Sequence, residues 1–171
     1  YAQRNYGTSQ AKGTSGVCVG CSVTYQANAS YGYLQSVSVL NIGVSLLGGQ
    51  SYQELIFPAA AKVPANTPVT VKLGTGNNLI DVALLGGIKL QAFNGSAAAG
   101  PSVSGTSLLS VLSSNDQQEV SITPTQKYDR IRITLDGGLL GAASSIYIYD
   151  AFYNTSGPAP CNTAIDELHG V

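Results

Sequence analysis

Tryptophan and methionine are absent from this 171-residue chain, histidine occurs once, and lysine plus arginine number only eight against nine acidic residues. Each shortage excludes something. Charged residues make up 10% of the sequence, against about 25% in an ordinary soluble domain. With a net charge of −1 there is no basic field to draw nucleic acid or anionic lipid. A Ser-His-Asp arrangement has only His169 to use, beside Gly170 near the end of the sequence, where the rigid orientation of a catalytic base is hard to supply. Zinc at Cys18-Val19-Gly20-Cys21 fails for the same shortage, since a structural site needs four ligands. No run approaches the roughly 20 apolar residues that span a bilayer, which speaks against membrane insertion. The sequence opens on Tyr1 without methionine, and a processed, exported chain is the expectation.

Acidic residues are present but dispersed: Glu54, Asp81, Asp116, Glu119, Asp129, Asp136, Asp150, Asp166 and Glu167. Their spacing proposes no carboxylate pair of the kind that hydrolyses glycosides. We therefore expect no catalytic residues, no cofactor and no metal. Three cysteines, Cys18, Cys21 and Cys161, give one bridge and a spare thiol in an exported protein, for a disulfide or a cross-link to another subunit. A thioredoxin-type redox role would need a helix after the Cys-x-x-Cys, and nothing helical follows.

What the chain does have is alternation. The stretch YDRIRITLDGGLLGAASSIYIYDAFY, from Tyr128 to Tyr153, reads as two strands joined by a Gly/Leu-rich loop, a late β-hairpin. Ile131, Ile133 and Leu135 share one face against Arg130, Arg132 and Thr134; Ile146 and Ile148 oppose Tyr147 and Tyr149, the period of a half-buried strand. Further strands are expected at Ser22 to Tyr25, Tyr52 to Phe57, Pro68 to Leu73, Leu79 to Leu84, Gly87 to Asn94 and Gln118 to Thr123. Tyr33 to Leu47 is a long apolar segment whose phase slips near Leu40, the mark of a β-bulge or of a strand changing sheets. Ser107 to Ser114 fits either a helical turn or a short strand. Short strands spaced by Gly, Pro, Asn and Ser predict an all-β, antiparallel β-sandwich or barrel. Residues 1–16, poor in apolar residues, are expected as a flexible N-terminal arm, 17–157 as the β-sandwich domain, and 158–171 as a tail or linker after Gly157-Pro158-Ala159-Pro160.

Several surface features invite a role. Leu46-Leu47-Gly48-Gly49 returns as Leu84-Leu85-Gly86-Gly87 and, rearranged, as Gly137-Gly138-Leu139-Leu140-Gly141. Such leucines either cap the ends of the sandwich or form an apolar rim for another copy; Ile165 and Leu168 of the tail would join that assembly by adding a strand to a neighbour. Among ten tyrosines, Tyr31, Tyr33, Tyr147 and Tyr149 are candidate glycan-stacking platforms or amphipathic strand surface. Asn28, Asn94 and Asn154 each begin an Asn-x-Ser/Thr glycosylation pattern. Asp150 falls by strict alternation on the apolar face of its strand, where a carboxylate needs a bulge, an arginine such as Arg130 or Arg132, or a calcium ion.

The Cys18-Val19-Gly20-Cys21-Ser22-Val23 lead-in, the block Tyr25-Gln26-Ala27-Asn28-Ala29-Ser30-Tyr31-Gly32-Tyr33-Leu34 running on to Ser38-Val39-Leu40-Asn41-Ile42-Gly43-Val44, and the Leu/Gly loops resemble secreted repeat domains of Bacteroidetes-type surface adhesins. Through that block and the Tyr128 to Tyr153 hairpin the chain is also similar to discoidin-like, galactose-binding-like jelly rolls. The likeness covers roughly residues 17 to 153. It implies a jelly roll whose last strand leads out beside the first, with Cys161 near Cys18 and Cys21 and able to bridge either, unless Cys18 and Cys21 pair with each other. Where those patterns carry aspartate this chain has Tyr31, so the resemblance does not extend to calcium. The function expected is a non-enzymatic structural or adhesive subunit of an extracellular, cell-surface fibre or long adhesin, partnered chiefly by itself. The alternative is a carbohydrate-binding module that takes surface glycans.

Overall fold

The computed structural model describes residues 2–30, 37–58, 62–75, 82–104, 107–108, 118–137 and 143–156. Its strands are β1 (Ala2–Tyr6), β2 (Ser9–Val19), β3 (Ser22–Thr24), β4 (Ser38–Ile42), β5 (Val44–Ile56), β6 (Val69–Gly74), β7 (Ile88–Asn94), β8 (Ala97–Ala98), β9 (Val103–Ser104), β10 (Gln118–Ile122), β11 (Arg130–Asp136) and β12 (Ser144–Ser156). A 3-10 helix (Gln26–Ser30) and one helical turn, α1 (Val82–Leu85), complete the described elements. They form two antiparallel sheets. Sheet A runs β10-β6-β12-β4-β3 with β1 also on β12; sheet B runs β2-β5-β11-β7-β8 with β9 also on β7.

Alternation explains why the sheets face one another. Val69, Val71 and Leu73 of β6, Val120 and Ile122 of β10, and Ile146 and Ile148 of β12 point from sheet A into one core. Leu55 of β5, Ile131, Ile133 and Leu135 of β11, and Ile88, Leu90 and Ala92 of β7 meet them from sheet B. Every one of these residues is at most 5% exposed, and each large one contributes about 1.5–3 kcal/mol by leaving water. The fold is an all-β antiparallel sandwich, one of the two forms the strand pattern predicts and in keeping with the jelly roll that the resemblance implies.

The topology corrects three local expectations and, in a fourth, decides between two alternatives. First, β11 and β12 are not a hairpin, because β11 pairs with β5 and β7 in sheet B while β12 pairs with β4, β6 and β1 in sheet A. Both strands have one apolar face, and two such faces are satisfied equally well across a core as side by side. Second, the arm expected over residues 1–16 is strand: Ala2 to Tyr6 lie on Ser156 to Phe152, and β2 lies along β5. Backbone pairing supplies the order that a polar sequence without apolar period does not announce. This also sets the first strand beside the last. Third, the strand expected at Leu79 to Leu84 is helical from Val82, its earlier residues lying outside the described set. Fourth, the phase slip near Leu40 is a change of sheet at Gly43, where β4 of sheet A gives way to β5 of sheet B. A Cβ at Gly43 would fall 2.8 Å from the Val19 carbonyl carbon and 2.9 Å from Gly20 Cα, so only glycine fits the crossing.

Candidate functional site

With the inner faces closed, chemistry is left to the outer ones. On sheet B the register aligns outward side chains in rows: Ala11, Glu54, Arg132 and Gln91 in one, and Gly13, Tyr52, Thr134 and Lys89 in the next. Tyr52, Lys89, Gln91, Arg132 and Thr134 of these rows, with Thr14, Ser15, Gln50 and Phe93, line a groove of about 360 Å³. Across it the Arg132 guanidinium lies 4.3 Å from the centre of the Tyr52 ring and 4.4 Å from that of Phe93. Cation–π attraction to two rings at once fixes all three groups.

Glu54 holds the arginine from its other edge. Its carboxylate accepts hydrogen bonds from Arg132 Nε at 3.2 Å and Nη2 at 3.1 Å, and lies 3.5 Å from Arg130 Nη1. Glu54 is 6% exposed, and a buried carboxylate persists only when paired. At the far side of the sheet Tyr52 lies over Gly13, where a Cβ would overlap the ring. The missing side chain on β2 is what lets the tyrosine lie across the edge strand. Gln50 Nε2 donates to Asp136 Oδ2 at 2.7 Å, and Gln91 Nε2 to the Gly100 carbonyl at 2.7 Å. The result is a polar groove with a fixed planar stripe, Tyr52-Arg132-Phe93, and amide groups on both sides.

None of these residues was singled out from the sequence as a ligand contact. The signal was present in the alternation of Lys89, Gln91 and Phe93 with Ile88, Leu90 and Ala92, and in Tyr52 and Glu54 flanking Gln53. Which strands adjoin one another cannot be read from such patterns. Of the tyrosines chosen from the sequence, the two that are described lie elsewhere. Tyr147 and Tyr149 are half-buried on β12 in sheet A, away from the groove, while Tyr31 and Tyr33 fall outside the described residues.

The other candidates separate as follows. Cys18 and Cys21 form a disulfide with Cα atoms 5.7 Å apart, tying the end of β2 in sheet B to the start of β3 in sheet A; Cys161 lies outside the described residues. Leu85 is 1% exposed and Leu84 packs on the core, so Leu85 caps the sandwich and is not part of an apolar rim. The side chains of Leu46 and Leu47, and all of Leu139, Leu140, Ile165 and Leu168, lie outside the described set. Asn28 is half-buried with its Nδ2 donating to the Val37 carbonyl at 3.1 Å, Asn94 is half-buried, and Asn154 is exposed.

Asp150 belongs to sheet A. The register slips between Ile148 and Asp150, so Tyr149 is an extra residue and Asp150 pairs with Lys72 on the face opposite the core. The bulge is one of the rescues that the sequence allows for; the pairing with Arg130 or Arg132 that it also allows for is not made, since both lie in sheet B and hold Glu54 and Asp129. Asp150 is nonetheless 1% exposed, and among the described residues neither carboxylate oxygen has a hydrogen-bond partner. Burial raises its pKa, with the charges of Lys72 and Arg4 pulling the other way. Two cations beside it make a poor calcium site, and among the described residues no three His, Cys, Asp or Glu side chains cluster as metal ligands. No described helix is long and apolar enough to cross a membrane.

No family model matches the sequence, and no curated protein matches it. Among solved structures, the chain is similar to the xylan-binding module CBM15 at 12% identity, over 93% of this chain and 99% of that one, with a TM-score of 0.49. A family 29 carbohydrate-binding module from Piromyces equi matches at 15% identity over 91% of each chain, TM-score 0.45. The low-affinity xylan-binding module CBM86 of Roseburia intestinalis matches at 11% identity, over 90% of this chain and 94% of that one, TM-score 0.44.

Proposed function

We propose that this domain is an extracellular carbohydrate-binding module whose ligand lies in the groove on the outer face of sheet B. The observation that carries the reading is the fixed Tyr52-Arg132-Phe93 stripe. Sugars present flat C–H faces and hydroxyl edges, and a groove that binds them needs rigid planar side chains beside convergent donors and acceptors. Gln50, Gln91, Thr14, Ser15 and Thr134 provide the polar edge here. The Cys18–Cys21 disulfide suits an oxidising compartment.

Affinity electrophoresis through gels containing soluble polysaccharides, followed by calorimetry, tests it. A retained band is expected for at least one polysaccharide, and Tyr52→Ala should weaken that binding tenfold or more, about 1.4 kcal/mol. Retention that Tyr52→Ala leaves unchanged would place the ligand elsewhere. The assembling-subunit reading keeps one support of its own: Val17 and Val19 are 50% and 68% exposed on β2, the edge strand of sheet B. Light scattering across a concentration series separates the two, since a groove-binding module stays monomeric and a fibre subunit grows.

A further inference from the structure

The groove also carries a charge opposite in sign to that of the whole molecule. Among the described residues two cations, Lys89 and Arg132, line it, and no carboxylate does. Arg132 is already compensated by Glu54. Asp136, which follows Leu135 on β11 and is not part of the lining, accepts from Gln50. Lys89 is different: among the described residues it makes no ion pair or hydrogen bond, although it is only half-exposed on the central part of sheet B. With eight lysines and arginines in 171 residues, an unpaired ammonium beside the aromatic stripe is not background.

The path continues over the sheet edge. Thr14 lines both this groove and a second hollow of about 260 Å³ formed with Lys12, Gly13, Ser22 and Val23. There, among the described residues, the Lys12 ammonium donates only to neutral oxygens, the Val23 carbonyl at 3.1 Å and Gln26 Oε1 at 3.3 Å. The row Gly13-Tyr52-Thr134-Lys89 spans three interstrand spacings, roughly 14 Å. That is room for a run of linked sugars rather than one ring, with a cation lacking a carboxylate at each end.

Resting on the carbohydrate reading, we infer that the ligand is an anionic polysaccharide, a chain bearing carboxylate or sulfate groups, and that Lys89 is the residue that selects it. Aromatic stacking and amide hydrogen bonds are indifferent to a sugar's charge. A single ammonium in a half-enclosed groove is not, and its attraction to an anion is screened by salt.

The intact domain is run against polygalacturonate, dextran sulfate and a neutral soluble β-glucan, at low and at physiological salt, as wild type, Lys89→Gln and Lys127→Gln. Lys127 is exposed and outside the groove. Wild type and Lys127→Gln are expected to prefer an anionic polymer, and Lys89→Gln to lose on the order of fivefold of that preference, the worth of one exposed ion pair. Which of the two anionic polymers is retained assigns carboxylate or sulfate. A preference for the neutral glucan, or an anionic preference that Lys89→Gln leaves intact, overturns the inference; if Tyr52→Ala still abolishes neutral binding in that case, the carbohydrate reading stands without it. Retention of none of the three by wild type, with none found in the wider panel, removes both.

Discussion

Two aspartates show how one residue type takes opposite roles under different neighbours. At Asp129 burial pushes the carboxyl pKa up, but hydrogen bonds from Arg130 Nε at 2.9 Å, Lys62 Nζ at 2.6 Å and the Gly95 N–H at 3.1 Å outweigh it and hold the group at about 2, against 3.8 unperturbed. A depressed carboxylate contributes stability above its unfolded pKa that is lost as pH falls toward the folded one. Asp129→Asn should therefore cost about 2 kcal/mol near neutral pH, the deficit closing between pH 4 and pH 2 in denaturation curves. Asp150 runs the other way. Its raised pKa means that below the unfolded value both states are protonated and nothing is lost, whereas above the folded value the buried charge is a standing penalty. Asp150→Asn should raise the melting temperature at pH 7 and make no difference below pH 4; equal shifts at both pH values would contradict the assignment. From the sequence Asp150 is visible as an acid out of phase. That its nearest cations are Lys72 and Arg4 is not, because 78 and 146 residues separate them from it along the chain.

Among the elements, the β4–β5 crossing is the clearest case of sequence and structure agreeing on a feature whose cause lies elsewhere in the chain. Leu40 and Ile42 of β4 face the core from sheet A, and Leu55 of β5 faces it from sheet B. The reason the crossing is possible is Gly43 lying against Val19 and Gly20 of a different strand pair. Gly43→Ala should destabilise by roughly 1–3 kcal/mol through forced backbone movement, read as a lower denaturant midpoint with an unchanged slope. An unaffected midpoint would mean that the strands part freely there. Strands β6, β7, β10 and β11 were legible because each alternates strictly. Strand β2 was not, since its residues are largely exposed polar ones along an edge and carry no apolar period to detect.

For the molecule as a whole, closure depends on the two ends meeting. Strand β12 pairs with β4 through its first half and with β1 through its last residues. Arg4 stacks 4.2 Å above the Phe152 ring, and Tyr6 packs at 5.6 Å between ring centres. Deleting residues 1–7 should cost roughly 2 kcal/mol or more, from five cross-strand pairs at about 0.2–1 kcal/mol each together with the lost ring contacts. The truncated domain should unfold at lower urea yet keep groove binding, because the Tyr52-Arg132-Phe93 stripe lies on the other sheet. A truncation as stable as the full chain would show that β1 contributes nothing to closure.

The sequence by itself determined the class of fold and the orientation of most side chains, because a period of two residues fixes which side chains point the same way within a strand. It also determined that Cys18, Cys21 and the low charge suit an exported β domain. Only the tertiary structure decided which strands adjoin. That choice separated β11 from β12, ordered residues 2–16, and brought Gly13, Tyr52, Arg132, Lys89 and Phe93 from four strands onto one face. A groove is a property of neighbouring strands, and neighbours in a sandwich are set by how two apolar faces close over a common core, information that no single strand carries.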